Sequence, residues 1–102
     1  MGKAANSSIS LKQIHVTDNF WNKYVHLVKD VIIPYQWDIL NDKLEDVETS
    51  HCIENFKIAA GEKEGEFQGA VFQDTDVAKW LEAVGFVLNY DRDEKVEELS
   101  DE

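Results

Sequence analysis

The sequence predicts a mainly α-helical chain with one leading β-strand. The clearest helical signal lies near the C-terminal end, where apolar residues recur every 3.6 residues. They are Val77, Trp80, Leu81, Val84 and Leu88. A second helical stripe follows residue 18, and residue types expected at helix ends separate the two stripes. The segment from Ile9 to Val16 instead alternates between apolar and polar residues, which is typical of a strand.

The predicted strand is irregular and follows a polar start. Residues 1 to 8 are small and polar, so we expect them to be disordered or an extension ahead of the fold. Ile9 and Leu11 share one face of the strand, whereas Ile14 and Val16 are displaced by one residue. Because side chains alternate along a strand, this displacement indicates a bulge or partial burial.

The first helix is predicted to begin at residue 17 or 18, where Thr17 or Asp18 caps it. Its apolar residues lie on one stripe, and a helix with such a face needs a partner surface. The stripe consists of Phe20, Tyr24, Leu27, Val28, Val31 and Ile32.

Pro34 marks a boundary between two helical segments. It has no amide hydrogen and disfavours helical geometry at Ile33, so it either ends the first helix or opens a second as its first residue. Residues 41 to 50 are charged and lack an apolar stripe, which predicts a surface loop. A short helix is predicted over residues 51 to 60, and Gly61 is the residue type expected just beyond a helix end.

The loop from residues 61 to 75 is both glycine-rich and apolar, so we do not expect a simple solvated connector. Asp74 or Thr75 is predicted to cap the next helix, and Asp76 adds charge that suits the dipole at its start. This helix ends near Tyr90.

Asp93 is predicted to cap a last helix that continues to Leu99. The prediction is therefore one strand and four or five helices, several of which carry wide apolar faces. A complete helical domain usually pairs every apolar face. We therefore expect this chain to be part of a larger domain.

Composition excludes several classes of protein. The chain has 102 residues, enough for one domain at most, and its net charge is −11, from 21 acidic and 10 basic residues. Nucleic acid is not an expected partner, because phosphate binding depends on Lys and Arg. No apolar run approaches the ~20 residues that span a membrane. The N-terminal segment does not have the apolar centre of a secretory signal, so a cytoplasmic location is the default expectation.

The cysteine and histidine content does not indicate a catalytic or metal centre. Cys52 is the only cysteine, so no intrachain disulfide forms, and a small buried residue is its expected role. His15, His26 and His51 do not have the spacing of a metal motif. We therefore assign no catalytic and no metal-ligating residue to this chain.

Aromatic and amide side chains suggest carbohydrate as a ligand, because indole rings stack on sugars and amides bind hydroxyl groups. Trp80 lies within the apolar stripe, which predicts core packing. Trp37 lies near the turn after Pro34 and is the better stacking candidate, with core packing as the alternative. Gln73 and Asp74 are candidate sugar contacts; helix capping is the alternative role for Asp74.

Three blocks of sequence carry a specific resemblance. They are VTDNFW (Val16 to Trp21), IPYQWDILND (Ile33 to Asp42) and NFKIAAGEKEGEFQGAVFQDTDVAKWLEA (Asn55 to Ala83). In this order and spacing they resemble the N-terminal part of the catalytic domain of glycoside hydrolase family 127, the non-reducing-end β-L-arabinofuranosidases. One departure is Ala78, where the family usually has Tyr.

The resemblance implies a fold and a place for the site. The fold that the resemblance implies is that of the family, an (α/α)6 barrel with additional β domains. Residues 9 to 102 would then be an N-terminal fragment of the catalytic domain, with the loop from Gly61 to Thr75 near the barrel mouth. The sugar contacts that follow from the resemblance are Gln73, Asp74 and His51.

The resemblance also implies the chemistry of a full-length parent. That parent would be a retaining exo-glycosidase that releases L-arabinofuranose from plant-derived glycans. The resemblance implies that the parent uses a cysteine nucleophile within a zinc site of cysteines and a glutamate. A second glutamate would act as acid/base. These residues lie downstream of the matched blocks, and Cys52 matches none of them. Zinc is thus implied for the parent and no cofactor for this chain, which we expect to be inactive alone and to self-associate through exposed helix faces.

Two other hypotheses remain open on the sequence. A small acidic helical protein could use its apolar stripes to bind another protein without catalysis. A small metal-binding protein could be built on His15, His51 and Cys52. The two make different predictions: cooperative unfolding of an isolated monomer for the first, and stoichiometric metal for the second.

Overall fold

A computed structural model describes residues 7 to 102 and confirms the mainly α-helical prediction. The prediction of disorder or an extension falls largely on residues 1 to 6, outside the described residues. The helices are α1 (Asn19–Leu27), a π-helical segment (Val28–Ile32), α2 (Ile33–Leu40), α3 (Cys52–Ala59), α4 (Asp74–Tyr90) and α5 (Glu94–Asp101). Within residues 7 to 102, no helix is long and apolar enough to cross a membrane.

The prediction of a leading β-strand is wrong, since residues 7 to 102 contain no strand. Leu11–Gln13 forms a 3₁₀ turn, and the Ser10 hydroxyl accepts a hydrogen bond from the Lys12 amide at 3.3 Å. Further along, the Val16 amide donates to the Tyr90 hydroxyl at 2.7 Å. Alternation over so few residues does not make a strand unless a neighbouring strand supplies the ladder of hydrogen bonds.

The first long helical segment continues without a break to residue 40. The Asp18 carboxylate caps α1 as predicted, accepting from the Phe20 amide at 2.7 Å and the Trp21 amide at 3.1 Å. Pro34 does not end the helix: it is the second residue of α2, directly after the π-helical segment. Pro34 has no amide hydrogen to donate to the preceding turn, and the helix accommodates it by widening locally into the π-helical segment. The Ile33 amide accordingly donates to the Val28 carbonyl, five residues back.

The core lies where the later helices meet, and it is built around two stacked tryptophans. The rings of Trp37 and Trp80 are 4.6 Å apart at an angle of 28°. The Trp80 indole donates to the Ile33 carbonyl at 3.0 Å, and the Trp37 indole donates to the Glu102 carboxylate at 3.2 Å. Core packing of Trp80 is confirmed, and Trp37 is buried as well, so sugar stacking on Trp37 is wrong for this chain. The buried residues are Ile33, Trp37, Leu40, Cys52, Trp80, Val84 and Val96.

The apolar face of α1, which was predicted to need a partner surface, is open to solvent. No residue of α1 is buried, and Trp21 is 61% exposed. A groove of about 580 Å³ runs between α1 and the end of α4, lined by apolar residues that include Tyr24 and Phe86. The Cα radius of gyration is 17.2 Å, whereas a compact domain of this length measures about 13 Å. The extended shape and the exposed apolar residues of α1 show that this face is not covered within residues 7 to 102.

An ion pair joins the π-helical segment to the corner between α4 and α5. The Lys29 ammonium lies 2.8 Å from the Asp91 carboxylate and 4.0 Å from that of Asp93. The hydrogen bond from Lys29 lowers the pKa of Asp91, and the same bond raises the pKa of Lys29. The lysine side chain is only 13% exposed, so this pair fixes the corner more firmly than a freely solvated pair would.

Asp91→Asn should destabilise the chain modestly. Asp91 is half-exposed and solvent screens the pair, so we expect a loss below about 1 kcal/mol. Because the folded pKa of Asp91 is lowered, its contribution is present at neutral pH and is lost as the pH falls through that pKa, below the ordinary value of 3.8. Urea unfolding at neutral and acidic pH measures the loss of unfolding free energy in Asp91→Asn, with the exposed Asp101→Asn as control. An equal difference at both pH values would contradict the assignment.

Candidate functional site

The starts of α3 and α4 meet at Cys52. Its side chain is 1% exposed, and its thiol donates a hydrogen bond to the Gln73 carbonyl at 3.1 Å. The sulfur also accepts a hydrogen bond from the Ser50 hydroxyl at 2.7 Å. Cys52 is therefore the small buried residue expected from the sequence, and it holds two helix starts together.

Gln73 lies at this junction and closes the loop that precedes α4. Its side-chain oxygen accepts a hydrogen bond from the Ala70 amide at 3.0 Å. Gly69 has φ +96°, a backbone geometry that strains any residue with a Cβ, and a Cβ there would also displace the Gln73 oxygen, so glycine is strongly favoured. Within residues 7 to 102 the side-chain nitrogen of Gln73 has no hydrogen-bond partner, and it remains available to a ligand.

Asp74 is the exposed first residue of α4 and does not cap it. The residue before the helix, Gln73, is itself helical and makes no capping bond through its side chain. Thr75 does not cap the helix either, because its hydroxyl donates to the Phe72 carbonyl at 2.7 Å. The predicted capping role is thus wrong. Asp74 and Asp76 both lie in the first turn, where their charge favours the helix dipole.

His51 precedes Cys52 and has a left-handed backbone with φ +60°. Its amide donates to the Asp42 carboxylate at 3.0 Å, which closes the loop between α2 and α3. Of the three residues named from the sequence, Gln73 and Asp74 are neighbours at the beginning of α4, and His51 precedes Cys52, whose thiol donates to the Gln73 carbonyl. The His51 imidazole itself lies with Asp42 and Glu54.

Sequence reasoning missed a cluster beside this junction. One ligand atom each of Asp42, His51 and Glu54 lies within 4.8 Å of the others. His51 and Glu54 are three residues apart at a helix start, a spacing that places them on one face, but nothing in the sequence indicates that Asp42 joins them. Glu54 already pairs with Lys63 at 2.9 Å, and this hydrogen bond lowers the pKa of Glu54.

The predicted alternative metal set does not form. Among the described residues, the group with metal-ligand geometry contains His51 but neither His15 nor Cys52. His15 instead lies beside the Tyr90 ring, with centroids 6.3 Å apart. A zinc site of several cysteines and a glutamate does not fit this chain either, because its one thiol is buried and donates to a backbone carbonyl.

Comparisons with known proteins agree on one family. Residues 13–102 match the family model described as the β-L-arabinofuranosidase, GH127 catalytic domain. A non-reducing-end β-L-arabinofuranosidase of Bifidobacterium longum subsp. longum is 36% identical over 100 residues, covering 86% of this chain and 15% of the relative. The crystal structure of a GH127 β-L-arabinofuranosidase from Geobacillus stearothermophilus T6 superposes with a TM-score of 0.81 and 56% identity, covering 85% of this chain and 14% of that one.

These matches agree with the blocks quoted from the sequence and with the helical architecture. The chain spans about 15% of the length of the curated relative that it matches. The matched region includes all five α-helices and the junction at Cys52. By sequence and by structure, the chain belongs to glycoside hydrolase family 127 and corresponds to part of its catalytic domain.

Proposed function

We propose that this chain forms the first helices of a catalytic domain that hydrolyses terminal β-L-arabinofuranosides. The observation that carries the proposal is the open apolar face of α1, in a chain that corresponds to about 15% of a β-L-arabinofuranosidase. Such a face is stable in water only when another surface covers it, and the remainder of a catalytic domain supplies that surface. Family membership favours this function over a non-catalytic interaction module.

The chain's own residues serve binding and scaffolding in this proposal. Glycoside hydrolysis with retention requires a nucleophile and an acid on either side of the scissile bond, and the acid is usually a carboxyl with a raised pKa. Glu54 and Asp91 instead have lowered pKa values because each accepts a hydrogen bond from a lysine. Neither residue therefore fits the acid role, and because the chain corresponds to about 15% of a β-L-arabinofuranosidase, we expect no turnover by this chain alone. The nucleophile and any cysteine-rich zinc site would belong to other parts of the catalytic domain.

The junction at Cys52 is the proposed sugar-facing surface. The free side-chain nitrogen of Gln73 can donate to a hydroxyl group, and the exposed Asp74 carboxylate can accept from one. His51 lies next to the same contact and can do either, depending on its tautomer. These three residues would bind and orient an arabinofuranose ring rather than transfer protons in the reaction.

A chimeric enzyme tests this function. Residues 13–102 would replace the matching segment of the Geobacillus stearothermophilus T6 enzyme, and release of L-arabinose from an aryl β-L-arabinofuranoside would be measured. We expect the chimera to keep activity within about tenfold of the parent enzyme, because a shared fold preserves the position of the catalytic groups. The 102-residue chain alone should be inactive. A folded chimera without activity would contradict the proposal.

A further inference from the structure

One face of α3 is in contact with the returning part of the loop between α3 and α4. Cys52, Asn55 and Ile58 are spaced by three residues and lie on that face. Cys52 bonds the carbonyl of Gln73, and Asn55 bonds the backbone of Gln68. At the other end, a Cβ on Gly65 would be only 3.1 Å from the Ile58 side chain. The loop therefore runs antiparallel to α3.

Asn55 is the central contact and binds both backbone polar groups of one residue, the amide and the carbonyl of Gln68. Its side-chain nitrogen donates to the Gln68 carbonyl at 2.7 Å, and its side-chain oxygen accepts from the Gln68 amide at 3.1 Å. The two bonds imitate the pairing between neighbouring strands, although the partners are 13 residues apart. We call this pair the Asn55 clamp.

The clamp is connected to the proposed sugar contact by two further residues. Gln68 is followed by Gly69 and Ala70, and the Ala70 amide donates to the side-chain oxygen of Gln73. Fixing Gln68 thus fixes the amide that orients the Gln73 side chain. Loops of this length without secondary structure are usually either functional or disordered, and the contacts along α3 favour an ordered, functional loop.

We propose that Asn55 is a positioning residue for the sugar site, acting through Gln68 and Ala70 to present the side-chain nitrogen of Gln73. The inference rests on the proposed function, since it assigns a task to a residue that would not itself touch the sugar. Preorganisation of this kind improves binding because the loop does not have to become ordered when the ligand arrives. Without the clamp, the Ala70 amide is free to move and Gln73 loses its fixed orientation.

Proteolysis of the 102-residue chain tests the clamp itself. A glutamyl endopeptidase can cut after the exposed residues Glu62, Glu64 and Glu66, and cuts after Glu45 and Glu48 in the other loop serve as an internal reference. Asn55→Ala should raise the rate of cleavage in the clamped loop about fivefold relative to the reference loop. Asn55→Asp keeps the acceptor but places a carboxylate oxygen against the Gln68 carbonyl, so it should not restore protection. Unchanged cleavage in Asn55→Ala, with helix content retained, would overturn the clamp.

Kinetics of the chimera test the positioning role. Asn55→Ala should raise KM about fivefold and change kcat less than about twofold, because binding is weakened while the reacting groups stay in place. Asn55→Asp should not recover the loss, because its carboxylate cannot donate to the Gln68 carbonyl. Asn89→Ala, at the far end of α4 and without a side-chain hydrogen bond among the described residues, is the control and should match the unmodified chimera.

The two experiments separate the inference from the proposed function. An active chimera whose KM is the same with and without Asn55→Ala overturns the positioning role and leaves the proposed function intact. An inactive unmodified chimera removes the proposed function and the sugar-site role together, and the cleavage rates still decide whether the clamp exists.

Discussion

Replacing Trp80 with alanine is expected to lower the free energy of unfolding by about 3–5 kcal/mol. The side chain is 3% exposed, stacks on Trp37 at 4.6 Å and donates to the Ile33 carbonyl. Its removal leaves a cavity between α2 and α4, the helices that meet at the centre of the core. Since small domains are stable by only about 5–15 kcal/mol, this single change should bring the chain close to unfolding.

Trp21→Ala is the matched control for this prediction. Trp21 is 61% exposed on the open face of α1, so its removal should change stability by less than about 0.5 kcal/mol. Urea unfolding followed by far-ultraviolet circular dichroism measures both variants against the unmodified chain. Equal losses for the two tryptophans would mean that the core is not centred on Trp80.

Phe86→Glu should convert a self-associating chain into a monomer. The unmodified chain is expected to associate and to bind the dye ANS, because the groove between α1 and α4 is apolar and Phe86 is 58% exposed within it. Association would bury the new carboxylate against an apolar surface, and the loss of its hydration would disfavour the complex. Size-exclusion chromatography with light scattering gives the molar mass of each variant.

The control for charge is Gln36→Glu, which adds one negative charge at an exposed position outside this groove. It should leave association unchanged if the apolar groove is responsible. An unmodified chain that is monomeric at all concentrations and does not bind ANS would contradict the prediction. That result would also restore the interaction-module hypothesis, which predicts a self-contained, cooperatively folding monomer.

Local rules predicted most helices and several of their ends. Asp18 and Asp93 cap α1 and α5 as expected, because each capping bond joins a side chain to amides two or three residues away. Gly61 lies just beyond α3 with φ +79°, the left-handed geometry predicted for that position. The periodic stripe of α4 likewise identified Trp80 and Val84 as core residues, although Leu81 of the same stripe is 47% exposed. All of these features depend on residues that are close together in the sequence.

The errors came from features that depend on distant partners. The segment from Ile9 to Val16 alternates like a strand but finds no neighbouring strand among the described residues. Asp74 resembles a cap, yet the helix already begins at that residue, because the preceding Gln73 is helical and turns its side chain towards Ala70. Trp37 follows a turn signal but is buried by stacking on Trp80, 43 residues later by their numbers.

The candidate site was predictable only in part. The likeness to the family predicted Gln73, Asp74 and His51, and the fold brings Gln73 into contact with Cys52, the residue after His51. The contacts that create the junction are not visible in the sequence. The hydrogen bond from the Cys52 thiol to the Gln73 carbonyl joins residues 21 positions apart, and the Asn55 clamp joins residues 13 positions apart. Neither contact has a characteristic sequence spacing.

Hydrogen exchange of α1 tests most directly whether its face is built to be covered by the remainder of a catalytic domain. Exchange would be measured by mass spectrometry over residues 19–32, in the 102-residue chain at a concentration where it is monomeric and in the chimera. We expect protection in the chimera to exceed that in the monomer by at least about tenfold, because burial suppresses local opening of the helix. Equal protection of α1 in the two proteins would contradict the account.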